Sequence, residues 1–522
     1  MAKIAHSPGQ KTVASFEDAI RMTGFGKFNL FVIITCGGCL MCVILETMCM
    51  SFIIPAAQCD LNLNLSEKGL LSSISFFGVV SSSHLWGFLA DTRGRKMVLV
   101  QSLLCSSVLS FACCLVPWSW LFILLRFFNG FFIGGCSAVI YAYAGEFHDQ
   151  NFRPKTIAWM TTFVAFGNMF LPSLAWAILP QQWSYNIPFM NITFKPWRLL
   201  LIIYALPSLV VAACLIVLPE SPKYLLTQGR YKEALEILKT MYKFNFNKQA
   251  DDYPVSDILW DELDNSDEVK KRSLLVSMWR QTVPLFKKPF LIKTLMFCSL
   301  QFLIFFSSAG IVMWYPEILN EMSQFSANSS ERVSLCRAMA YDDDDYFEFP
   351  DQYRSLFVFK GRVCKDLVKP EVFQTSLLVG SAYACMFVLV GALIGFVGKK
   401  KLLVSFLTVC TACGLASQFV YGYTLIQMLI GVFTLCGAAI GLINAFVVDL
   451  YPTQIRGMAL AVSLMFGRFG AMTGSNLIGP LLYHFCDYVF FVVAANSLVV
   501  VILVLLLPSM PHIPRLKETI TH

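Results

Sequence analysis

The chain has few charged residues for its length. Asp, Glu, Lys and Arg make up 14% of its 522 residues, whereas soluble domains carry about a quarter. This scarcity excludes an ordinary water-soluble protein, and the modest net charge of +7 gives no indication of nucleic acid binding. Hydrophobic residues make up 57% of the chain and include 46 Phe. That content indicates a protein that crosses a membrane many times.

Motifs typical of enzymes and metal sites are also missing. The sequence contains no nucleophile–base set, phosphate-binding loop or metal box, so we expect no enzyme activity, no cofactor and no metal. Most of the 18 Cys lie inside apolar runs, where they act as small apolar residues. Met1–Lys27 shows no cleavage pattern, and the first apolar run is expected to serve as its own insertion signal.

About twelve apolar runs are long enough to cross a bilayer, which takes about 20 residues each. They lie at Phe28–Ile53, Leu70–Ala90, Met97–Pro117, Trp120–Ala142, Thr156–Leu179, Leu199–Leu218, Phe290–Tyr315, Phe373–Val397, Leu402–Tyr421, Thr424–Val447, Met458–Leu482 and Tyr488–Leu507. An even number of spans places both termini on one side. Basic residues near both ends predict that this side is cytoplasmic.

These spans predict an all-α polytopic membrane protein made of two six-helix halves. The parts are a cytoplasmic N-terminus (1–27), the N-terminal half (28–218), a cytoplasmic linker (219–289), the C-terminal half (290–508) with an extracellular or luminal loop (316–372), and a cytoplasmic tail (509–522). Within the linker, Tyr231–Tyr242 has helical apolar spacing. We interpret it as an amphipathic helix that bridges the halves, or equally as a solvated linker helix.

A short turn between the second and third spans is repeated later in the chain. Gly87–Lys96 reads GFLADTRGRK, and Gly391–Lys400 repeats its glycines and its last two basic residues about 304 positions downstream. The acid and arginine that follow the fourth span, Glu146 and Arg153, recur at nearly the same offset after the tenth span, as Asp449 and Arg456. Two matched sets predict homologous halves, which is typical of one class of transporters.

Possible modification sites agree with this topology. The sequons at Asn191 and Asn328 fall on the predicted non-cytoplasmic side and are candidate glycosylation sites, whereas Asn64 lies close to the membrane. Cys336 and Cys364 lie in the predicted outer loop and are candidates for a disulfide in an oxidising compartment.

Several motifs resemble those of the major facilitator superfamily. They are GFLADTRGRK, RFFNGFFIGG at Arg126–Gly135, PESPKYLL at Pro219–Leu226 and DLYPTQIRG at Asp449–Gly457. Within the branch of sugar porters and organic ion transporters, ETMCMSFIIPAAQCDL (Glu46–Leu61) and IVMWYPEIL (Ile311–Leu319) look most like the synaptic vesicle glycoprotein 2 family. The resemblance covers nearly all the spans.

The resemblance implies a monomeric transporter with a central cavity between the two halves. It would move a small organic solute by alternating access, with protons as a candidate coupling ion, in the plasma membrane or an intracellular vesicle membrane. The chain departs from the vesicle glycoprotein pattern in its short N-terminus and outer loop. It also has Val43 and Asn444 where the family tends to hold carboxylates, so we expect the cavity to suit cations less well.

Three charges inside the spans need a reason, because a charge within the bilayer costs several kcal/mol. Glu46 and Arg126 lie at similar depths in the first and fourth spans, and related sugar porters pair such residues. The pair is either a proton-coupling site or a static ion pair that holds two helices. Arg468 lies near the middle of the eleventh span and either packs between helices or contacts substrate.

Uncharged candidates for the cavity are Gln301, Asn444 and Trp176. Gln301 either lines the cavity or forms a hydrogen bond between helices. Trp176 is either an interfacial anchor or a ring on which substrate stacks.

The resemblance also predicts a gating network at the cytoplasmic ends of the spans. Its members are Asp91, Arg95, Lys96, Glu146, Arg153, Lys399, Asp449 and Arg456. Asp91 is expected to face the start of the eleventh span and to hold the cytoplasmic gate shut.

Three other functions were weighed against transport. The loss of acids at Val43 and Asn444 would suit a transporter-like protein that has only a binding or trafficking role. A channel is disfavoured because no span carries a filter or pore-ring pattern. An enzyme is disfavoured by the missing motifs.

Overall fold

A computed structural model describes residues 12–190, 192–259, 282–328, 334–344, 368–451 and 453–507 of the chain. Most of these residues are helical, as the apolar runs predict. The exceptions include two short sheets. One pairs β1 (Thr12–Ser15) with β4 (Val255–Leu259) in parallel, and the other is the antiparallel hairpin of β2 (Tyr185–Ile187) and β3 (Ile192–Phe194).

The N-terminal half begins with the short helix α1 (Phe16–Met22). Its first predicted span is split into α2 (Lys27–Met48) and α3 (Met50–Ala57). The remaining spans of this half are α4 (Leu65–Arg93), α5 (Arg95–Cys113), α6 (Ser119–Gly145), α7 (Arg153–Ile178) and α8 (Pro196–Val217). The linker carries α9 (Pro222–Thr227) and α10 (Tyr231–Phe246).

The C-terminal half contains α11 (Leu291–Asn328), α12 (Leu335–Asp344), α13 (Pro370–Val397), α14 (Lys399–Ala416), α15 (Tyr423–Thr434), α16 (Ala439–Leu450), α17 (Thr453–His484) and α18 (Cys486–Leu506). A 3₁₀ turn, Leu435–Ala438, joins α15 to α16 within the tenth predicted span. Within the described part of the chain, ten helical segments are long and apolar enough to cross a membrane. The ninth and eleventh predicted spans are helices α14 and α17, of 18 and 32 residues.

The turn at Gly94 and its repeat at Gly398 have the same geometry. Each glycine ends one helix and begins the next at positive φ, +110° and +85°, a conformation that side chains rarely adopt. Lys96 Nζ donates to the carbonyl of Ile216 at the end of α8, and Lys400 Nζ donates to that of Leu505 at the end of α18. The internal repeat in the sequence is therefore also a repeat in three dimensions. We call the face that carries the Gly94 turn the inner face and the opposite one the outer face.

Among the described residues, most contacts between the two halves lie along three helix pairs. These are α4 with α17, α7 with α13, and α3 with α11. Close approach is possible because small residues line the contacts: Ser72 donates to the carbonyl of Ser475, and Gly69 packs against the backbone of Asn476. In the described residues, the surface between the halves is thereby formed from α3, α4, α7, α11, α13 and α17.

The amphipathic helix predicted in the linker is present as α10. Its apolar face packs against α2 and β4, with Ala234, Leu238 and Met241 buried. Asn245 Nδ2 donates to the carbonyls of Thr23 and Gly24. In the described residues α10 therefore serves the N-terminal half, and we find no support there for a bridge to the other half.

Two expectations for the outer loop differ from the structure. The helix of the seventh span continues through Glu317 to Asn328, because Glu317 finds polar partners and stays buried. The predicted pairing of Cys336 with Cys364 was wrong, since Cys336 is bonded to Cys486. The reason is that α12 packs against α17 and α18 and so brings Cys336 to the start of α18. Cys364 lies outside the described residues, as does Asn191, while Asn328 is the last residue of α11.

Candidate functional site

The break in the first span lies beside a buried arginine. Helix α2 ends at Met48 and α3 begins at Met50, so Cys49 forms the joint. Arg126 of α6 donates from Nη2 to the backbone carbonyl of Glu46, and Cys49 Sγ lies 3.3 Å from the same nitrogen. The guanidinium thus supplies hydrogen-bond donors at the joint. The first span can bend there without leaving its carbonyl groups unpaired.

Glu46 and Arg126 form an ion pair with almost no solvent exposure. The Arg126 Nη1 to Glu46 Oε2 distance is 3.3 Å, and the side chains are 0% and 2% exposed, respectively. Neither charge is stable alone in so dry a place, and the pair reduces the cost of both. The structure therefore brings together the two residues that the sequence placed at similar depth.

Other polar groups complete the site around Glu46. Ser110 of α5 donates to Glu46 Oε2 at 2.6 Å, and Asn129 Nδ2 does so at 3.0 Å. Asn129 also donates to the Ser106 carbonyl at 3.0 Å. Sequence reasoning did not identify these residues. Asn129 lies three residues after Arg126, on the same helix face, and that spacing was the available signal.

Some atoms of this buried cluster lack partners. Among the described residues, Glu46 Oε1, Arg126 Nε and Asn129 Oδ1 have no hydrogen-bond partner and no access to solvent. An unpaired buried acceptor is costly. Among the described groups, the cluster therefore leaves one carboxylate oxygen of Glu46 without a donor.

The remaining cavity candidates lie on the surfaces between helices. Gln301 of α11 is fully buried and donates from Nε2 to Asn444 Oδ1 of α16 at 2.7 Å. This geometry is the helix-to-helix hydrogen bond that was weighed for Gln301. Arg468 of α17 is half-buried and donates from Nη1 to Ser83 Oγ of α4 at 2.9 Å, across the two halves. Trp176, on α7, is 41% exposed.

The inner-face network in the N-terminal half is centred on Arg95. Its Nε lies 3.2 Å from Glu146 Oε2, and its Nη2 lies 3.2 Å from Asp91 Oδ1. Burial raises the pKa of the Glu146 carboxyl above its ordinary value, while Arg95 acts in the opposite direction. The Asp91 side chain is 74% exposed. Its partner in this structure is Arg95, and its contact with the start of α17 stays a prediction.

Glu220, in the PESPKYLL segment, is a further member of this network. Its Oε1 accepts the backbone N–H groups of Arg95 and Lys96, both at 3.0 Å. A carboxylate at the first turn of α5 is favoured by the unpaired N–H groups and the helix dipole. The segment was recognised as a motif, but this contact joins residues more than 120 positions apart and was not predicted.

Arg153 makes contacts at the end of α6 and with α1. It donates to the carbonyls of Gly145 and His148 at 2.9 and 3.2 Å, and its Nη2 lies 3.3 Å from Glu17 Oε1 of α1. In the C-terminal half the side chains of Asp449 and Arg456 lie outside the described residues, and Lys399 begins α14. The gating role of all these residues stays a prediction.

An ion pair at the outer face joins the two halves. Lys68 Nζ of α4 lies 2.8 Å from Glu317 Oε1 of α11, and Tyr483 of α17 donates to the same oxygen at 3.1 Å. The Lys68 and Glu317 side chains are 13% and 4% exposed. We call these three residues the outer latch. The sequence analysis missed it because it treated Glu317 as the start of a loop.

Comparisons with known proteins agree with this architecture. The family model for the Major Facilitator Superfamily matches residues 36–338. Synaptic vesicle glycoprotein 2A from Rattus norvegicus is 28% identical over 331 residues, which are 60% of this chain and 44% of that protein. The Homo sapiens protein of the same name is 28% identical over 342 residues, 62% of this chain and 46% of that one. The matches thus span less than half the length of these relatives.

Solved structures share the fold. A partially occluded, inward-open xylose transporter XylE from E. coli superposes with a TM-score of 0.64 at 13% identity, covering 92% of this chain and all of that one. The nucleoside transporter NupG gives a TM-score of 0.56 at 14% identity, covering 92% and 98%. At such identities the likeness concerns the fold alone.

Proposed function

Because this chain belongs to the Major Facilitator Superfamily, we propose that it is a secondary active transporter of a small organic solute, working by alternating access and coupled to protons through Glu46. It is an integral multi-pass membrane protein. We propose that its termini are cytoplasmic and that it resides in the plasma membrane or in a vesicle membrane. Two repeated halves that meet around a shared surface suit such a rocking mechanism.

The observation that carries the proposal is the buried Glu46–Arg126 pair. It lies at the joint between α2 and α3, where a change in the first span would alter the contact of the carboxylate with Arg126. Desolvation favours the neutral acid, whereas Arg126, Ser110 and Asn129 favour the carboxylate. A movement that separates Glu46 from these partners would therefore drive proton uptake. The Oε1 atom, which has no partner among the described residues, would hold that proton.

The test compares Glu46→Gln with the parent protein in liposomes. Radiolabelled glucose, benzoate and tetraethylammonium serve as neutral, anionic and cationic probes. For a probe that the parent accumulates under an inward proton gradient, we expect Glu46→Gln to exchange the probe across the membrane without accumulating it. Gln keeps a similar volume but cannot ionise.

The control is Glu371→Gln at the outer end of α13, where Glu371 is exposed and accepts a hydrogen bond from Ser323 of the same half. It should accumulate the probe as the parent does. Accumulation by Glu46→Gln at the parent level would show that Glu46 is not the coupling group. Binding of a probe with no exchange in any variant would favour the binding or trafficking role instead.

A further inference from the structure

Arg468 differs from the other buried arginines in what surrounds it. Arg126 is paired with Glu46, and Arg198, at the start of α8, lies 3.0 Å from Asp60 and donates to the carbonyls of Cys114 and Val116. Both have a carboxylate partner and are almost fully buried. Arg468 has no carboxylate within ion-pair distance among the described residues, and Ser83 is the one group there to which it donates.

The position of Arg468 makes this missing partner costly. It is the sixteenth of the 32 residues of α17, so it lies near the middle of the span. Within the described helices, the other charges at mid-span are Glu46 and Arg126, which neutralise each other. An unpaired guanidinium at this depth is expensive and by default indicates function.

The Arg468 guanidinium is also separate from the coupling pair. Arg126 Nη2 lies 3.5 Å from Ser75 Oγ, and Arg468 Nη1 lies 2.9 Å from Ser83 Oγ, both on α4. Eight residues of helix correspond to about 12 Å along its axis. Ser75 lies against Gly130 of α6, whereas Ser83 faces α17. The two guanidinium groups therefore contact α4 about two helical turns apart.

The remaining guanidinium donors are placed to receive a ligand. Arg468 is half-buried at the surface between the halves, and Tyr141 of α6 lies within electrostatic range of it. Ser83 occupies Nη1 alone, so the other N–H groups of the guanidinium are unused by the described residues. A planar guanidinium binds a carboxylate through two parallel hydrogen bonds, and Arg468 keeps donors that such a pair would use.

We infer that Arg468 is the recognition group for an oxyanion, so the solute bound between the halves is a small organic anion, in the simplest case a carboxylate. The transport of that anion rests on the proposed function, whereas its binding does not. The negative charge of the ligand neutralises Arg468, which has no carboxylate partner among the described residues. The neutral Asn444, hydrogen-bonded to Gln301, adds no competing negative charge on that side.

Binding is tested by thermal unfolding of the purified full chain with millimolar benzoate, succinate, methanesulfonate, inorganic sulfate, glucose or tetraethylammonium. We expect stabilisation by at least one organic anion and by neither glucose nor tetraethylammonium. Arg468→Gln should weaken that binding about tenfold or more, because a charge-assisted pair is lost. Arg468→Lys, which keeps the charge but not the planar fork, should fall between the two.

Ser83→Ala is the matched control, because it removes the hydrogen bond between Arg468 and α4 but leaves the charge. It should bind the anion within about threefold of the parent, because the guanidinium that pairs with the anion is kept. If Ser83→Ala loses as much affinity as Arg468→Gln, Arg468 acts by holding α4 against α17 and the inference fails. Stabilisation by sulfate alone would show an inorganic-ion site and would also overturn it.

Counterflow in liposomes separates this inference from the transport proposal. Arg468-dependent anion binding without counterflow would uphold the inference and overturn transport. Counterflow of glucose or tetraethylammonium that persists in Arg468→Gln would support transport and overturn the inference. Absence of stabilisation by every organic anion would overturn the inference.

Discussion

His148 follows α6 at the inner face and is 1% exposed. Its Nδ1 lies 2.8 Å from the Ala144 carbonyl, and its Nε2 has no hydrogen-bond partner among the described residues. Burial lowers the pKa of His148, and nearby Arg153 acts in the same direction. At pH values between the lowered pKa and the ordinary one, the ring is therefore neutral in the folded protein but charged in the unfolded chain.

This shift predicts that acid destabilises the N-terminal half at the inner face, where His148 lies. The unfolded chain binds more protons than the folded one as the pH falls through the ordinary value of about 6.5, so stability is lost in that direction. The hydrogen bond to the Ala144 carbonyl and the charge of Asp149 oppose this lowering of the pKa but do not cancel it. Asp149 and Arg21 line the same small cavity of about 30 Å³. We expect the unfolding temperature of the parent to fall between pH 7.5 and 5.5.

The variant His148→Asn keeps an N–H donor for Ala144 but cannot titrate. Its unfolding temperature should depend less on pH than that of the parent, as measured by intrinsic fluorescence in detergent. Equal pH dependence of the two proteins would exclude His148 as the source.

At the scale of helices, Gly130 and Gly134 lie four residues apart on α6 and pack against α4. A Cβ added at Gly130 would lie 2.2 Å from the carbonyl oxygen of Ser75, which is backbone and has little freedom to move. Gly441 of α16 has open space around the same position. Close helix packing therefore requires a glycine at position 130, whereas no described neighbour requires one at position 441.

We expect Gly130→Ala to destabilise the protein by about 1–3 kcal/mol, because α4 and α6 must separate to admit the methyl group. Gly441→Ala is the matched control and should be neutral or slightly stabilising, since Ala is the better helix former. Thermal unfolding of both purified variants checks this. Equal unfolding temperatures for the two would contradict the role assigned to Gly130.

The helices also show what sequence can and cannot predict in this protein. Most span bounds were predicted within a few residues, because a bilayer demands about 20 apolar residues in a row. Helix α11 was predicted too short because Glu317 interrupts the apolar run, although tertiary partners keep it buried. The pairing of β1 with β4 joins segments about 240 residues apart and leaves no local signal.

The candidate site was predictable to the same extent. A charge inside a span costs free energy and therefore indicates a function, so Glu46, Arg126 and Arg468 could be selected from the sequence. Ser110 and Asn129 could not, because serine and asparagine are common in spans and their contacts depend on how α5 and α6 are packed. Cys336 was assigned the wrong partner because two loop cysteines in one segment seemed nearer than one at the start of α18.

For the whole molecule, the contacts between the halves indicate which face is closed. Among the described residues, side-chain hydrogen bonds between α4 and the C-terminal half run from Lys68, near the outer end, to Ser83, just past the middle. The α3–α11 contact lies at the outer face as well, where Phe52 approaches Phe373 of α13. The outer latch therefore belongs to a state with the outer face closed.

Breaking the latch should shift the population toward a state that is open at the outer face. In Lys68→Met, Glu317 loses its cationic partner in a nearly dry place, and removing one partner of a buried pair costs about 3–5 kcal/mol. The residual exposure of 13% and 4% places our expectation at the lower end of that range. Because about 1.4 kcal/mol changes an equilibrium tenfold, even part of this cost would be visible.

Hydrogen–deuterium exchange of the purified protein measures the shift without added labels. In Lys68→Met we expect faster exchange in α3, in the first turns of α4 and around Glu317 of α11. Exchange in α9 and α10 at the inner face should stay unchanged. The double variant Lys68→Met with Glu317→Leu should exchange less at the outer face than the single one, because no unpaired charge is left. Glu371→Gln, whose partner Ser323 lies in the same half, should match the parent. If exchange in Lys68→Met rises equally at both faces, the pair supports the fold in general and does not act as a latch between the halves.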